Sequence, residues 1–224
     1  MTNSNRINQI CSFVTKRVVA EVGADHGFIT KNLFDSKKID FAYLTDISEK
    51  CLKKAVDNFK NTTYNCKFLV GDGLKALQNE KFESLPKPQE IIIAGMGGNE
   101  IIKILQDNEA NKFNFFVLQP QRNVVELRKF LQNNNFLIKE DFLVKDGKIY
   151  YNVLKVERTK KTNKLTENEI LFGKTNLVCY NPDFESYIQF EIEKNEEILK
   201  NKPLPEIIEK LEKLNSVYKK IKGA

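Results

Sequence analysis

Residues 91–98 read Ile-Ile-Ile-Ala-Gly-Met-Gly-Gly, and no other stretch limits the fold so sharply. Three consecutive β-branched residues without polar alternation suit a strand covered on both faces, as in the middle of a parallel sheet. The glycines that follow permit positive φ and let a ligand approach bare backbone. Four more apolar bursts take the same form. Residues 17–22 run into Gly23-Ala24-Asp25-His26-Gly27, and residues 41–44 into Thr45-Asp46-Ile47-Ser48. Residues 67–70 run into Gly71-Asp72-Gly73-Leu74, and residues 115–118 into Gln119-Pro120-Gln121-Arg122. Helical spacings such as Leu52-Ala55-Val56-Phe59 and Ile101-Ile102-Leu105 lie between them. Strands that alternate with helices specify an α/β fold, a doubly wound and mostly parallel sheet.

The flanks carry further elements. Ile7, Ile10, Cys11 and Val14 have the spacing of a leading helix. Asp146-Gly147 between two β-prone runs, residues 136–140 and 150–156, predicts a terminal hairpin. Residues 158–164 are polar, so the chain divides into a sheet domain over 1–157 and a helical domain over 165–224. In the latter, Thr166-x-x-Glu169 is a capping box and Asn181-Pro182 opens a second helix. Phe184, Ile188, Ile192, Asn195 and Leu199, then Ile207, Leu211, Leu214, Tyr218 and Ile221, step by three and four across Pro203 and Pro205. That stepping predicts an antiparallel coiled-coil hairpin.

Bulk properties narrow the function. No apolar run is long enough to span a bilayer, and the N-terminus lacks the apolar core of a signal peptide, so a cytoplasmic protein is expected. Cys11, Cys51, Cys66 and Cys179 are scattered and read as reduced thiols. His26 is the only histidine, and no metal site is expected. The net charge of +6 is dispersed, with 23 basic and 18 acidic residues in positions 1–155, and fits an anionic partner without requiring one.

The turns select the cofactor. A dinucleotide fingerprint needs a glycine where this chain has Asp25, between Gly23 and Gly27. A carboxylate there repels a pyrophosphate but accepts hydrogen bonds from an amine-bearing ligand. S-adenosylmethionine has an ammonium, a sulfonium and no phosphate. Asp46, 19 residues after Gly27, stands where an acid takes both ribose hydroxyls. Asp72, flanked by Gly71 and Gly73, can accept from the adenine amino group, and Ile47 can cover the adenine face. Taken singly, Asp46 and Asp72 could equally be helix caps.

Together these turns, with Ile-Ala-Gly-Met-Gly-Gly, Leu-Gln-Pro-Gln and Asp-Gly-Lys-Ile-Tyr, resemble the bacterial tRNA (adenine-22-N1)-methyltransferases over essentially the whole chain. The resemblance implies a Rossmann-like S-adenosylmethionine-dependent domain, a C-terminal coiled coil that docks tRNA, and no obligate protein partner. Carried onto this sequence, it implies cofactor binding by Glu21, Gly23, Asp25, Gly27, Asp46, Ile47, Gly71, Asp72, Gly73, Gly95 and Met96. Asp25 and His26 are the catalytic candidates, with a structural turn as the alternative for His26. Gly97 and Gly98 become a floor for the base, Gln119 and Pro120 a wall, and Arg6 and Arg122 contacts to the RNA. Arg128 and Lys129 are further phosphate candidates, and Lys174, Lys194, Lys200, Lys210 and Lys213 form polar faces on the hairpin. Competing readings are methylation of another RNA, a small molecule or a protein, and a noncatalytic RNA- or cofactor-binding module.

Overall fold

In the computed structural model, which describes residues 4–78, 80, 82–160, 164–201 and 204–223, seven strands form one sheet. They are β1 (Val18–Val22), β2 (Phe41–Asp46), β3 (Cys66–Val70), β4 (Glu90–Met96), β5 (Phe115–Pro120), β6 (Phe136–Asp146) and β7 (Ile149–Arg158). Their order is β3-β2-β1-β4-β5-β7-β6. The first five are mutually parallel. β7 runs antiparallel to β5 and β6 antiparallel to β7, so β6 points the same way as β5. The chain winds outward from β1 to β3 on one side and from β4 onward on the other. The switch between β1 and β4 opens a crevice at their carboxyl ends.

Each face of the sheet is covered because the strands bury both sides of their pleat. Ile91, Ile92 and Ile93 are fully buried, and the middle residue faces the opposite layer from its neighbours. One layer comprises α1 (Asn5–Phe13), α2 (Phe28–Asp35) and α3 (Glu49–Phe59), which contribute Ile10, Leu33, Leu52 and Phe59. The other comprises α4 (Gly98–Gln106) and α5 (Val124–Asn133), which contribute Ile101, Leu105, Leu127 and Leu131. Ser4 and Ser48 cap α1 and α3 by accepting from Ile7 N and Cys51 N, so both helices near the crevice start at defined residues.

The last four helices are α6 (Glu167–Phe172), α7 (Lys174–Val178), α8 (Pro182–Asn201) and α9 (Pro205–Lys222). Thr166 and Glu169 form the expected capping box on α6. Salt bridges from Lys210 to Glu191 and from Lys222 to Glu185 make α8 and α9 antiparallel. Phe184, Ile188, Leu214 and Val217 pack with Leu143 of β6, so the hairpin's core is continuous with the sheet's edge. That edge is guarded by side chains. The N–H groups of Asp141, Leu143 and Lys145 donate to Thr175 Oγ1, Asn176 Oδ1 and Asp183 Oδ2 at 2.9, 3.0 and 2.9 Å. Asn181 Nδ2 returns a bond to Leu143 O at 2.9 Å. An edge strand otherwise offers these groups to another chain. The polar stretch read as a boundary begins where β7 ends, and residues 161–163 within it lie outside the described residues. Among the described residues, no helix is long and apolar enough to cross a membrane.

Candidate active site

The turn after β1 is held in an unusual shape. Gly23, Asp25 and Gly27 all have positive φ, at 73, 44 and 70°. For Asp25 this conformation is strained and persists only where surroundings fix it. Gly23 N and Ala24 N both donate to Thr45 O, at 2.8 and 2.9 Å. Asp25 N donates to Asp46 Oδ2 at 3.2 Å, and Ser48 N to Asp46 Oδ1 at 2.8 Å. Helix α3 supports the turn from behind. Lys54 Nζ meets Asp25 Oδ1 at 2.7 Å, and Asn58 Nδ2 donates to His26 O at 2.9 Å. The His26 ring stacks on Phe28 with centroids 5.1 Å apart.

Across the crevice, the β4–β5 ladder shifts register between Ala94 and Met96, and Gly95 bulges out with φ 81°. A bulge at a strand's end re-aims the chain that follows it. Two cavities meet there. One, of about 370 Å³, is lined by Asp46, Ile47, the run Gly71-Asp72-Gly73 and Met96. The other, of about 390 Å³, is lined by Arg6, Glu21, Asp25, His26, Phe28 and Gln121. Gly23, Ala94 and Gly95 border both and form a shared waist.

Charge in the second cavity is strongly structured. The Lys54 ammonium on Asp25 holds its carboxyl below the usual carboxylate range. Glu21 is wholly buried, which pushes its carboxyl up to about 7 despite hydrogen bonds from Thr30 N and Oγ1 and the nearby Arg6 charge. Folding therefore favours protonated Glu21, so its contribution to stability is full below about 4.5 and is lost as pH rises through about 7. Glu21→Gln should flatten the fall in Tm between about pH 5 and about pH 8. Thermal melts across that range check it, and an unaltered slope would remove Glu21 as the cause.

Of the residues proposed from sequence, the structure gathers most but not all around the cavities. Gly27 is buried against Leu44, Phe59 and Ala55 and serves packing. Gly97 and Gly98 are also buried. A Cβ on Gly98 would stand 2.3 Å from Asn123 O, so this glycine admits the neighbouring turn rather than a base. Gly97 lies beneath Glu100 and exposed Arg122, whose charged groups approach to 3.3 Å. Gln119 and Pro120 are buried behind the wall, with Gln119 Oε1 taken by Arg6 Nη1 at 2.9 Å. Arg6 also sits over the Tyr151 ring, at 5.3 Å from its centroid.

Arg128 requires correction. It is 0% exposed and makes a two-pronged bond to Asp141, at 2.6 and 2.9 Å. It donates also to Asn152 Oδ1, Ile170 O and Leu171 O. A guanidinium consumed in this way meets no phosphate, whereas Lys129 is exposed. Phe28, Gln121, Lys54 and Asn58 were not foreseen. Phe28 looked like the first apolar residue of a helix, and the i,i+4 pair Lys54 and Asn58 gave the only sequence hint that α3 faces the turn.

Comparison with known proteins bears on the family and the fold. A profile of the tRNA (adenine(22)-N(1))-methyltransferase (TrmK) family matches residues 19–223. A proposed tRNA methyltransferase of Mycoplasma genitalium is 35% identical over 175 residues, covering 75% of this chain and 76% of the relative. The Bacillus subtilis tRNA (adenine(22)-N(1))-methyltransferase is 28% identical over 154 residues, covering 66% and 62%. The structure of Mycoplasma capricolum TrmK with S-adenosyl-homocysteine superposes with TM-score 0.84 at 25% identity, covering 99% of this chain and 100% of that one. A Streptococcus pneumoniae protein in complex with S-adenosyl-L-methionine gives TM-score 0.83 at 25% identity, covering 97% and 100%. With a family profile matched from β1 to the end of α9, the chain belongs to the tRNA (adenine(22)-N(1))-methyltransferase family.

Proposed function

We propose that the cavity at Asp46 and Asp72 holds S-adenosylmethionine, that the cavity at Arg6 and Phe28 receives the target adenine, and that the methyl group passes at their waist. The observation that carries this division is the shared border of Gly23, Ala94 and Gly95, three small residues that line both spaces, with the Met96 side chain against Gly23 on the cofactor side. The protein is an S-adenosylmethionine-dependent methyltransferase acting on N1 of an adenine in tRNA, and family membership points to position 22.

The residues present fit that cofactor. Asp46 presents carboxylate oxygens fixed by two backbone N–H groups, with acceptor capacity left for vicinal hydroxyls. Ile47 is 71% exposed beside it and offers an apolar cover for a purine. Gly71 and Gly73 keep the opposite wall low, and Asp72 is exposed at its rim. Asp25 Oδ1 holds Lys54, and Oδ2, 3.7 Å from His26 Nε2, has acceptor capacity left for an ammonium. When bound, the cofactor supplies an electrophilic methyl carbon.

The acceptor side needs alignment more than proton transfer, because the nucleophile is the N1 lone pair. Asp25, kept ionised by Lys54, acts electrostatically and favours the cationic base that results. The exposed face of Phe28, stacked on His26, suits an adenine swung out of its stack. Gln121 lines the same space and offers a polar edge. We assign residues 1–157 to binding the cofactor and base, residues 165–224 to docking the tRNA, and the protein to the cytoplasm where its substrate resides.

Incubating the purified protein with S-adenosylmethionine and transcribed tRNA should yield 1-methyladenosine, mapped by nuclease digestion and mass spectrometry. Absence of that nucleoside, despite cofactor binding, would overturn the reading.

A further inference from the structure

The long helical hairpin offers an RNA very unequal surfaces. Helix α8 carries six acidic residues against two lysines. Four lysines that looked available in the sequence are committed to ion pairs. Lys194 and Lys210 reach Glu191, at 3.8 and 2.7 Å. Lys200 reaches Glu197 at 2.9 Å, and Lys213 reaches Glu167 and Glu209 at 2.8 and 2.9 Å. Among the described residues, the lysines in the half of the hairpin away from the sheet are thus held by acids and leave a phosphate backbone little free positive charge to meet.

The half against the sheet differs. The last turns of α9 carry Lys219, Lys220 and Lys222, all three exposed. Beside them is a cavity of about 180 Å³, walled by residues joining α7 to α8 and by Ile221. Two large side chains on its rim face solvent, Val178 at 71% and Tyr180 at 77% exposure. Lys222 pairs with Glu185 on the cavity wall. Asn176 and Asn181 spend their amides on β6 and on each other, leaving the floor without a polar claim on a ligand.

We infer that this cavity is a second nucleobase site, at which Tyr180 stacks an unpaired base of the tRNA while Lys219 and Lys220 of α9 hold its phosphates. An aromatic platform beside clustered cations is the arrangement that grips single-stranded nucleic acid without reading sequence. Position supports it. Asn181 and Asp183 bind β6 at Leu143 and Lys145, beside its carboxyl end at Asp146. β6 points the same way as β4, so the cavity stands toward the same end of the sheet as the acceptor cavity. Three strand spacings, roughly 14 Å, separate β4 from β6. One RNA can therefore enter both. The inference rests on tRNA being the substrate.

The test uses the full chain with Tyr180→Ala, and separately with Lys219→Glu and Lys220→Glu combined. Tyr180→Ala should weaken binding of transcribed tRNA about tenfold. The lysine variant should weaken it further and lower the salt slope. Cofactor affinity, and the rate at saturating tRNA, should stay as in the unsubstituted protein. Unchanged tRNA affinity in both folded variants would overturn the site. So would a dimer in the unsubstituted protein that Tyr180→Ala converts to monomer, since the patch would then bind a second copy. Failure of the unsubstituted protein to methylate tRNA would instead remove the underlying reading.

Discussion

Asp46→Ala should weaken S-adenosylmethionine binding about ten- to a hundredfold, the loss expected for a charged acceptor of roughly 1.5–3 kcal/mol. Two effects add at this residue. In the proposed site the ribose hydroxyls would lose their acceptor, and Asp25 loses the carboxylate that anchors its N–H in the left-handed turn. Asp46→Asn keeps one oxygen and should fall between the two proteins. Calorimetric titration decides the matter, with Tm as the control for folding. Unchanged affinity in a folded Asp46→Ala protein would take Asp46 out of the cofactor site.

The largest loss of stability should come from Arg128→Ala. Its guanidinium joins α5 to Asp141 of β6, Asn152 of β7 and the carbonyls of Ile170 and Leu171 in α6. Removing it leaves Asp141 charged in the interior, a cost of about 3–5 kcal/mol. For a chain of this length that is roughly 6–20 °C in Tm. Replacing both partners by apolar residues should recover much of the loss, because no charge then stays buried. A phosphate contact would behave in the opposite way, with tRNA affinity falling at constant Tm. The same knot shows why a cut near Lys164 cannot isolate the catalytic half cleanly. It would strip two carbonyls from a buried arginine and the guard from β6.

The alternation of apolar bursts and helical spacings made the sheet legible, because parallel strands covered on both faces must be apolar throughout. The acids at the ends of β1, β2 and β3 were legible for a related reason. Parallel strands end at one edge, so turn residues distant in sequence become neighbours. Side-chain commitment was not legible. Arg122 stands just before α5 and Arg128 in its middle, yet the first is largely exposed and the second fully buried. Only the arrival of Asp141 from β6 separates them. Gly97 and Gly98 likewise looked like room for a base, but the backbone of Arg122 and Asn123 already fills the space beside Gly98. Phe28 escaped notice because an aromatic at a helix start reads as core until its exposure is seen.

The side-chain guard along β6 ties the native state to the timing of synthesis. Asp141, Leu143 and Lys145 are made before the residues that cover them, Thr175, Asn176 and Asp183. At about 5–20 residues per second, the strand waits roughly two to seven seconds for its cover. During that interval three N–H groups on alternate residues face outward in register, the form that recruits a strand from a neighbouring polysome. The lysines and acids of β6 temper that recruitment by charge. Synonymous codons that slow the ribosome over residues 159–180 should therefore reduce soluble yield while leaving every native contact unchanged.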